Sequence, residues 1–270
     1  MGELTGRVAI VTGAGRLRGI GRAAAVRLAE LGADVVVTGT GRDPNTFPDD
    51  EKAAGWRDIV STAEQVRSAG GRALPVVVDV TDESQVQSMV DQTIAEFGRV
   101  DILVNNAAAP IGRDRAPIVD VPPDVFAWVM DVKVTGTYLC TRAFLQAKPG
   151  NGEGGKIVNI SSTAGKRGVA NTLAYNAANF AVVGMTQSMA KELGPLNINV
   201  NCVCPGATET ARMDELERDG RMASIEQDTP IGRNGTDEEV GSLVAYLCTE
   251  AASWITGQSI NINGGTVMEH

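Results

Sequence analysis

Thr12-Gly13-Ala14-Gly15-Arg16-Leu17-Arg18-Gly19-Ile20-Gly21 begins at the end of an apolar run over 8–12 and leads into a helical pattern over 19–31. Glycines permit a tight turn and let an anion approach the backbone, and a helix N-terminus adds free N–H groups at a positive dipole end. A strand, a glycine-rich turn and a helix in that order form the context in which such a loop holds a dinucleotide pyrophosphate. Gly13, Gly15, Arg16, Gly19, Ile20 and Gly21 are therefore the candidate phosphate contacts.

Further along the chain the same alternation continues. Apolar runs predict strands over 35–38, 74–78, 102–105, 156–160, 198–203 and 259–262, and longer patterns predict helices over 83–97, 124–147, 173–193 and 237–248. The strands are continuous Val/Ile runs, as required when both sheet faces are buried. Such alternation predicts right-handed crossovers and a Rossmann-type, doubly wound parallel sheet in a three-layer α/β/α arrangement. No internal repeat or linker divides residues 1–270, so one domain is expected. Two segments lack periodicity. Residues 39–56, with Pro44 and Pro48, are expected to loop over an adenosine moiety. Residues 207–233 are expected to form a lid beside the binding crevice. Met213, Leu216, Met222 and Ile225 in that lid offer an apolar substrate face, although helical amphipathicity explains them equally.

Composition excludes several classes. A hydrophobic fraction of 43% supplies a large core without disulfide or metal staples. A net charge of −9 argues against nucleic acid or an anionic membrane as partner. No apolar run approaches the roughly 20 residues of a membrane span. The N-terminal stretch has no signal-peptide pattern, so a cytoplasmic protein is expected. Cys202 and Cys204 share one face of a predicted strand, and with Cys140 and Cys248 they read as buried, reduced thiols rather than a metal site. The single histidine, His270, ends the sequence, which removes Ser-His-Asp and Cys-His chemistry.

The choice of dinucleotide turns on the end of the second strand, where a carboxylate would accept the ribose 2′-OH of NAD. The residues there are Thr38-Gly39-Thr40-Gly41-Arg42, with no carboxylate before Asp43. Arg16, Arg18 and Arg42 offer guanidinium groups suited to a 2′-phosphate, which favours NADP over NAD.

The chain resembles the short-chain dehydrogenase/reductases over essentially its whole length. The 12–21 loop is similar to their cofactor motif, with extra residues between its glycine pairs. Asp79-Val80 resembles the adenine-contacting pair, and Asn105-Asn106-Ala107, followed by Ala108, resembles the Asn-Asn-Ala-Gly motif. Ser162 and Tyr175 match the catalytic serine and tyrosine. Pro205-Gly206-Ala207 through Thr210 resembles the nicotinamide-side segment, and 255–265 the C-terminal signature. The resemblance implies hydride transfer between a nicotinamide and a carbonyl or alcohol carbon of a small molecule. It assigns Tyr175 as general acid/base and Ser162 as the holder of the substrate oxygen. It also implies a homotetramer built on the helices over 124–147 and 173–193.

Two positions depart from the family pattern. Tyr-x-x-x-Lys reads here Tyr175-Asn176-Ala177-Ala178-Asn179, and the place of the family's asparagine holds Lys133. The lysine and asparagine are exchanged. A phenol with an ordinary pKa near 10 needs a nearby cation to work around neutral pH. Asn179 supplies hydrogen bonds but no charge, so Lys133 is expected to supply the cation from the opposite side of the cleft. Two other readings stay open on the same scaffold: a non-redox enzyme (elimination, isomerisation or hydrolysis), or a dinucleotide-binding protein with little catalysis.

Overall fold

In a computed structural model, which describes residues 2–148, 154–214 and 227–269, the Val/Ile runs form one seven-stranded parallel sheet. The first half contains β1 (Val8–Val11), α1 (Ile20–Glu30), β2 (Asp34–Gly39), α2 (Asp49–Ala53), α3 (Ile59–Ser68), β3 (Ala73–Val77), α4 (Glu83–Phe97) and β4 (Ile102–Asn105). Next come α5 (Pro123–Met130), a π-helical turn (Asp131–Thr135), α6 (Gly136–Gln146), β5 (Gly155–Ile160) and α7 (Leu173–Leu193). The chain then forms β6 (Ile198–Pro205), β7 (Thr208–Glu209), β8 (Gly235–Thr236), α8 (Asp237–Leu247) and β9 (Ser259–Ile262). The strand order is β3-β2-β1-β4-β5-β6-β9, so all strands stay parallel while the order in which they are laid down across the sheet reverses between β1 and β4. In sheets of this kind ligands bind in the crevice beyond the carboxyl ends of the strands at that switch point.

Strand residues alternate between two cores. Ala9 and Val11 pack with Leu28, Val66 and Val244 from α1, α3 and α8. Ile10, between them, packs with Met89, Leu139 and Phe144 from α4 and α6. All three strand residues are fully buried, which is why the sequence shows no polar alternation. Close approach of helices replaces bulk on one side: a Cβ on Gly241 would lie 2.8 Å from the Ala23 carbonyl carbon. All four cysteines are free and buried, and the Cys202 and Cys204 sulfurs lie 4.0 Å apart on one face of β6. No helix among the described residues is long and apolar enough to cross a membrane.

Three features differ from the sequence expectation. The helix expected over 124–147 is broken into α5 and α6 by the π-helical turn, which widens the spiral by about one residue. The turn abuts Gly136, where a Cβ would lie 2.7 Å from Val80 Cγ2. The 39–56 segment carries the short helix α2, and α3 follows it, where neither helix was expected. The start of the expected lid pairs with residues just beyond its end in a two-residue parallel ladder, Thr208 with Gly235 and Glu209 with Thr236. Residues 215–226, with Leu216, Met222 and Ile225, lie outside the described residues, as does His270.

Candidate active site

The turn after β1 is built around Thr12. Its Oγ1 accepts from the N–H groups of Asn106 (3.0 Å) and Ala107 (3.1 Å), and Asn106 Nδ2 donates to the carbonyls of Thr12 and Gly13. Gly13 has φ +67, and a Cβ there would lie 2.8 Å from Ala107 Cα. A Cβ on Gly21 would lie 2.5 Å from Asn106 Nδ2. Only glycine fits at both positions. α1 starts at Gly19 and Ile20 with no side-chain cap, although Asp237 accepts from Gly19 N–H at 2.7 Å and is balanced by Arg22 at 2.8 Å. A glycine-lined turn running into an uncapped helix start fits the pyrophosphate of a dinucleotide.

The adenosine end is rearranged relative to expectation. Arg42 does not stand alone at the end of β2. It pairs with the buried Glu51 (2.8 Å), donates to Asp58 Oδ1 (3.1 Å) and to the Gly15 carbonyl (2.8 Å), and lies over the Phe47 ring. Arg18 bridges Asp214 and Asp50, and the Asp214 hydrogen bond holds its pKa above the usual arginine value. Trp56 Nε1 and Leu17 N–H complete the clamp by donating to the Gly15 carbonyl and to Glu51. Segment 39–58 is thus tied down onto the phosphate loop.

This clamp brings a carboxylate to the end of β2 from far along the chain. Asp58 precedes α3 with φ +54 and ψ −135, a backbone conformation that costs a non-glycine residue about 1–3 kcal/mol. Its Oδ1 lies 1.9 Å from where a Gly15 Cβ would be, and its Oδ2 3.8 Å from where a Gly39 Cβ would be. The sequence pattern missed it because Asp58 lies nineteen positions beyond Gly39, after an aperiodic segment. Asp43, the nearer carboxylate, is exposed and instead accepts from Asn45 N–H. Of the adenine pair, Asp79 accepts from the N–H and hydroxyl of Thr81, while Val80 is buried against Gly136.

Tyr175 and Asn179 sit one turn apart at the start of α7 and line one narrow cleft with Lys133 of the π-helical turn. Lys133 is 5% exposed, and its ammonium donates to the Ala107 carbonyl at 3.3 Å. Burial pushes its pKa down to about 8, with the nearby Arg212 charge acting in the same direction. Asn179 is 1% exposed; its Nδ2 donates to the Tyr175 carbonyl at 2.8 Å, and its Oδ1 is buried without a hydrogen bond. The two exchanged residues therefore face one cleft.

Ser162 lies two residues beyond β5 and caps the turn over Thr163–Gly165, its Oγ accepting from Ala164 N–H at 3.1 Å; it is not among the side chains lining that cleft. Two arginines that the sequence did not single out are present. Arg115 lies 4.0 Å from the Tyr175 ring centre beside Asp114, and Arg212 lies 5.2 Å from the ring centre and donates to the Ala109 carbonyl. Arg212 follows Thr210 in the segment opened by Pro205. Gly206 of that segment donates to Ile262, Ala207 accepts from Gly235, and Ala211 N–H donates to Arg18.

Residues 13–267 match the family described as enoyl-(acyl carrier protein) reductase. The chain is 40% identical to cis-4-hydroxycyclohexanecarboxylate dehydrogenase of Sinomonas cyclohexanicum, over 98% of each chain. It is 36% identical to 3-oxoacyl-[acyl-carrier-protein] reductase of Synechocystis sp., covering 99% of this chain and 100% of the relative. Among solved structures, acetoin dehydrogenase from Enterobacter cloacae superposes with a TM-score of 0.79 at 37% identity, over 97% of this chain and 96% of that one.

Proposed function

Because the chain belongs to the short-chain dehydrogenase/reductase family and is an oxidoreductase of the kind its relatives represent, we propose that it interconverts a small secondary alcohol and its ketone with NAD(H), using Tyr175 and Lys133 for proton transfer. The observation that carries the reading is the burial of Lys133 in the same cleft as Tyr175 and Asn179. When bound, the nicotinamide gives or accepts a hydride at the substrate carbon. Tyr175 gives its hydroxyl proton to the carbonyl oxygen in reduction and takes it back in oxidation. Ser162 hydrogen-bonds the same oxygen. A cation beside a phenol favours its ionised form, and Lys133 brings an ammonium to this cleft from the side opposite the family's usual lysine. Asn179 keeps a buried acceptor, Oδ1, for a ribose hydroxyl of the cofactor.

Gly13, Gly15, Arg16, Gly19, Ile20 and Gly21 hold the pyrophosphate, with Asn106 and Ala107 bracing the turn. Gly39, Asp79 and Val80 face the adenosine, and Pro205, Gly206, Ala207 and Thr210 face the nicotinamide. Asp58 accepts the ribose 2′-OH, which favours NAD over the NADP suggested by the arginines. The support is the engagement of Arg42 and Arg18 with carboxylates of the chain itself. The molecule assembles as a tetramer through α5–α6 and α7, whose exposed Trp128, Tyr138 and Phe180 offer the apolar surface.

The test is to follow nicotinamide absorbance with NADH or NADPH across a panel of ketones, aldehydes and alcohols. Turnover with cofactor consumption that Tyr175→Phe abolishes is expected. Turnover without net cofactor change, or tight cofactor binding with no turnover, overturns the redox reading.

A further inference from the structure

We propose that the cleft beside Tyr175 recognises a carboxylate, so that the substrate is a small apolar hydroxy acid or oxo acid anchored by Arg212. Two cationic side chains, Lys133 and Arg212, line this cleft, while its one lining carboxylate, Asp114, is paired with Arg115, which stacks on the Tyr175 ring. This excess of positive charge occurs in a chain of net charge −9. General surface charge therefore does not explain it.

Arg212 carries the argument furthest. Among the described residues its guanidinium has one hydrogen-bond acceptor, the Ala109 carbonyl, and no carboxylate partner. Arg18, Arg22 and Arg42 nearby are each held by two carboxylates. A guanidinium presents a planar fork that matches a carboxylate through two parallel hydrogen bonds. Desolvating such a cation without an anion is unfavourable, and an incoming carboxylate supplies the missing charge. Both arginines face the Tyr175 ring, which leaves the carboxylate a few bonds from the carbon that exchanges its hydrogen.

The rest of the wall sets the body of the ligand. Val129, Ala109 and Ala178 belong to one buried apolar cluster, with Phe126 packed against it. Apolar side chains beside Tyr175 suit a ligand whose body is apolar. A carboxylate at one end and an alcohol or ketone near the other satisfies Arg212, the apolar wall and Tyr175 together.

The reaction assigned to this ligand rests on the oxidoreductase reading, but its binding does not, and the experiment separates the two. Titration calorimetry on the full-length protein, with and without NAD, compares cyclohexanecarboxylate with cyclohexanecarboxamide, neither of which has an alcohol to oxidise. The carboxylate is expected to bind about ten- to a hundredfold more tightly. That preference should collapse to within about threefold in Arg212→Met and recover partly in Arg212→Lys, with the NADH dissociation constant unchanged. Equal binding of acid and amide, no binding of either, or an equal loss of NADH affinity in Arg212→Met overturns the proposal; the last makes Arg212 a cofactor contact. Steady-state rates then compare 4-hydroxycyclohexanecarboxylate with cyclohexanol. Carboxylate binding without turnover of either alcohol leaves the anion site standing and removes the redox reading. Equal kcat/KM for the two alcohols leaves redox standing and removes the anion site.

Discussion

The Lys133 ammonium donates to the Ala107 carbonyl at 3.3 Å, and the N–H of the same Ala107 donates to Thr12 Oγ1 at 3.1 Å. One residue thus joins the cleft around Tyr175 to the turn that starts the phosphate loop. The buried lysine makes this link at a cost, because its folded-state pKa of about 8 lies below the ordinary lysine value. Below pH 8 the folded and unfolded chains both hold the proton, and the burial penalty is felt in full. Between about pH 8 and 10.4 the unfolded chain binds more protons, so stability contributed by this site rises with pH. Lys133→Met is expected to be more stable than the wild type at pH 7, by up to about 3 kcal/mol, with the gap closing towards pH 10. Denaturant titrations at the two pH values check this; a constant gap rules it out.

Activity should move in the opposite sense. If Lys133 supplies the working cation, Lys133→Met loses about a hundredfold in kcat or more. Lys133→Arg keeps the charge at all accessible pH values, so a decline of the wild-type rate above pH 8 is absent in that variant. The reciprocal swap is the stricter measurement. Lys133→Asn alone is expected to be as impaired as Lys133→Met, and Lys133→Asn combined with Asn179→Lys to recover most of the rate. Strong coupling in that cycle shows that the two positions share one role; additive losses show that they do not.

The outer faces of α5, α6 and α7 expose Trp128 at 47%, Tyr138 at 53% and Phe180 at 46%. Tetramer formation through these helices predicts that Trp128→Asp with Phe180→Asp shifts the mass measured by light scattering to that of a dimer or monomer. A wild-type protein already monomeric at micromolar concentration contradicts the assembly.

The sheet was readable because burial on both faces leaves continuous apolar strands, as Ile10 between Ala9 and Val11 illustrates. The phosphate loop was readable because glycines at 13 and 21 answer to backbone geometry. The exchange of Lys133 and Asn179 was visible as a pair of residue types, yet the π-helical turn carrying Lys133 was not, since one inserted residue hardly disturbs helical periodicity. Arg115, Arg212 and Asp58 were not readable at all. They come from loops and a helix start, where tertiary contacts rather than local pattern decide what each side chain faces. For the same reason Arg18 and Arg42 were recognisable as charges, whereas their carboxylate partners, thirty-two and sixteen residues on for Asp50 and Asp58, were not.

Those carboxylates lead to the prediction on cofactor choice. A 2′-phosphate at the adenosine ribose would meet Asp58, held beside Gly15 and Gly39, and like charges brought together cost several kcal/mol. The wild type is therefore expected to bind NADH at least tenfold more tightly than NADPH. Asp58→Ser removes the carboxylate and frees part of the Arg42 guanidinium, which keeps its pair with Glu51. In that variant the preference should fall to within about threefold or reverse. Asp43→Ser serves as the control, because that exposed carboxylate engages only its own turn and should leave the ratio unchanged. Fluorescence titration of both cofactors against the three proteins decides the matter. A wild type that prefers NADPH, or a ratio that Asp58→Ser does not move, assigns the choice to groups other than Asp58.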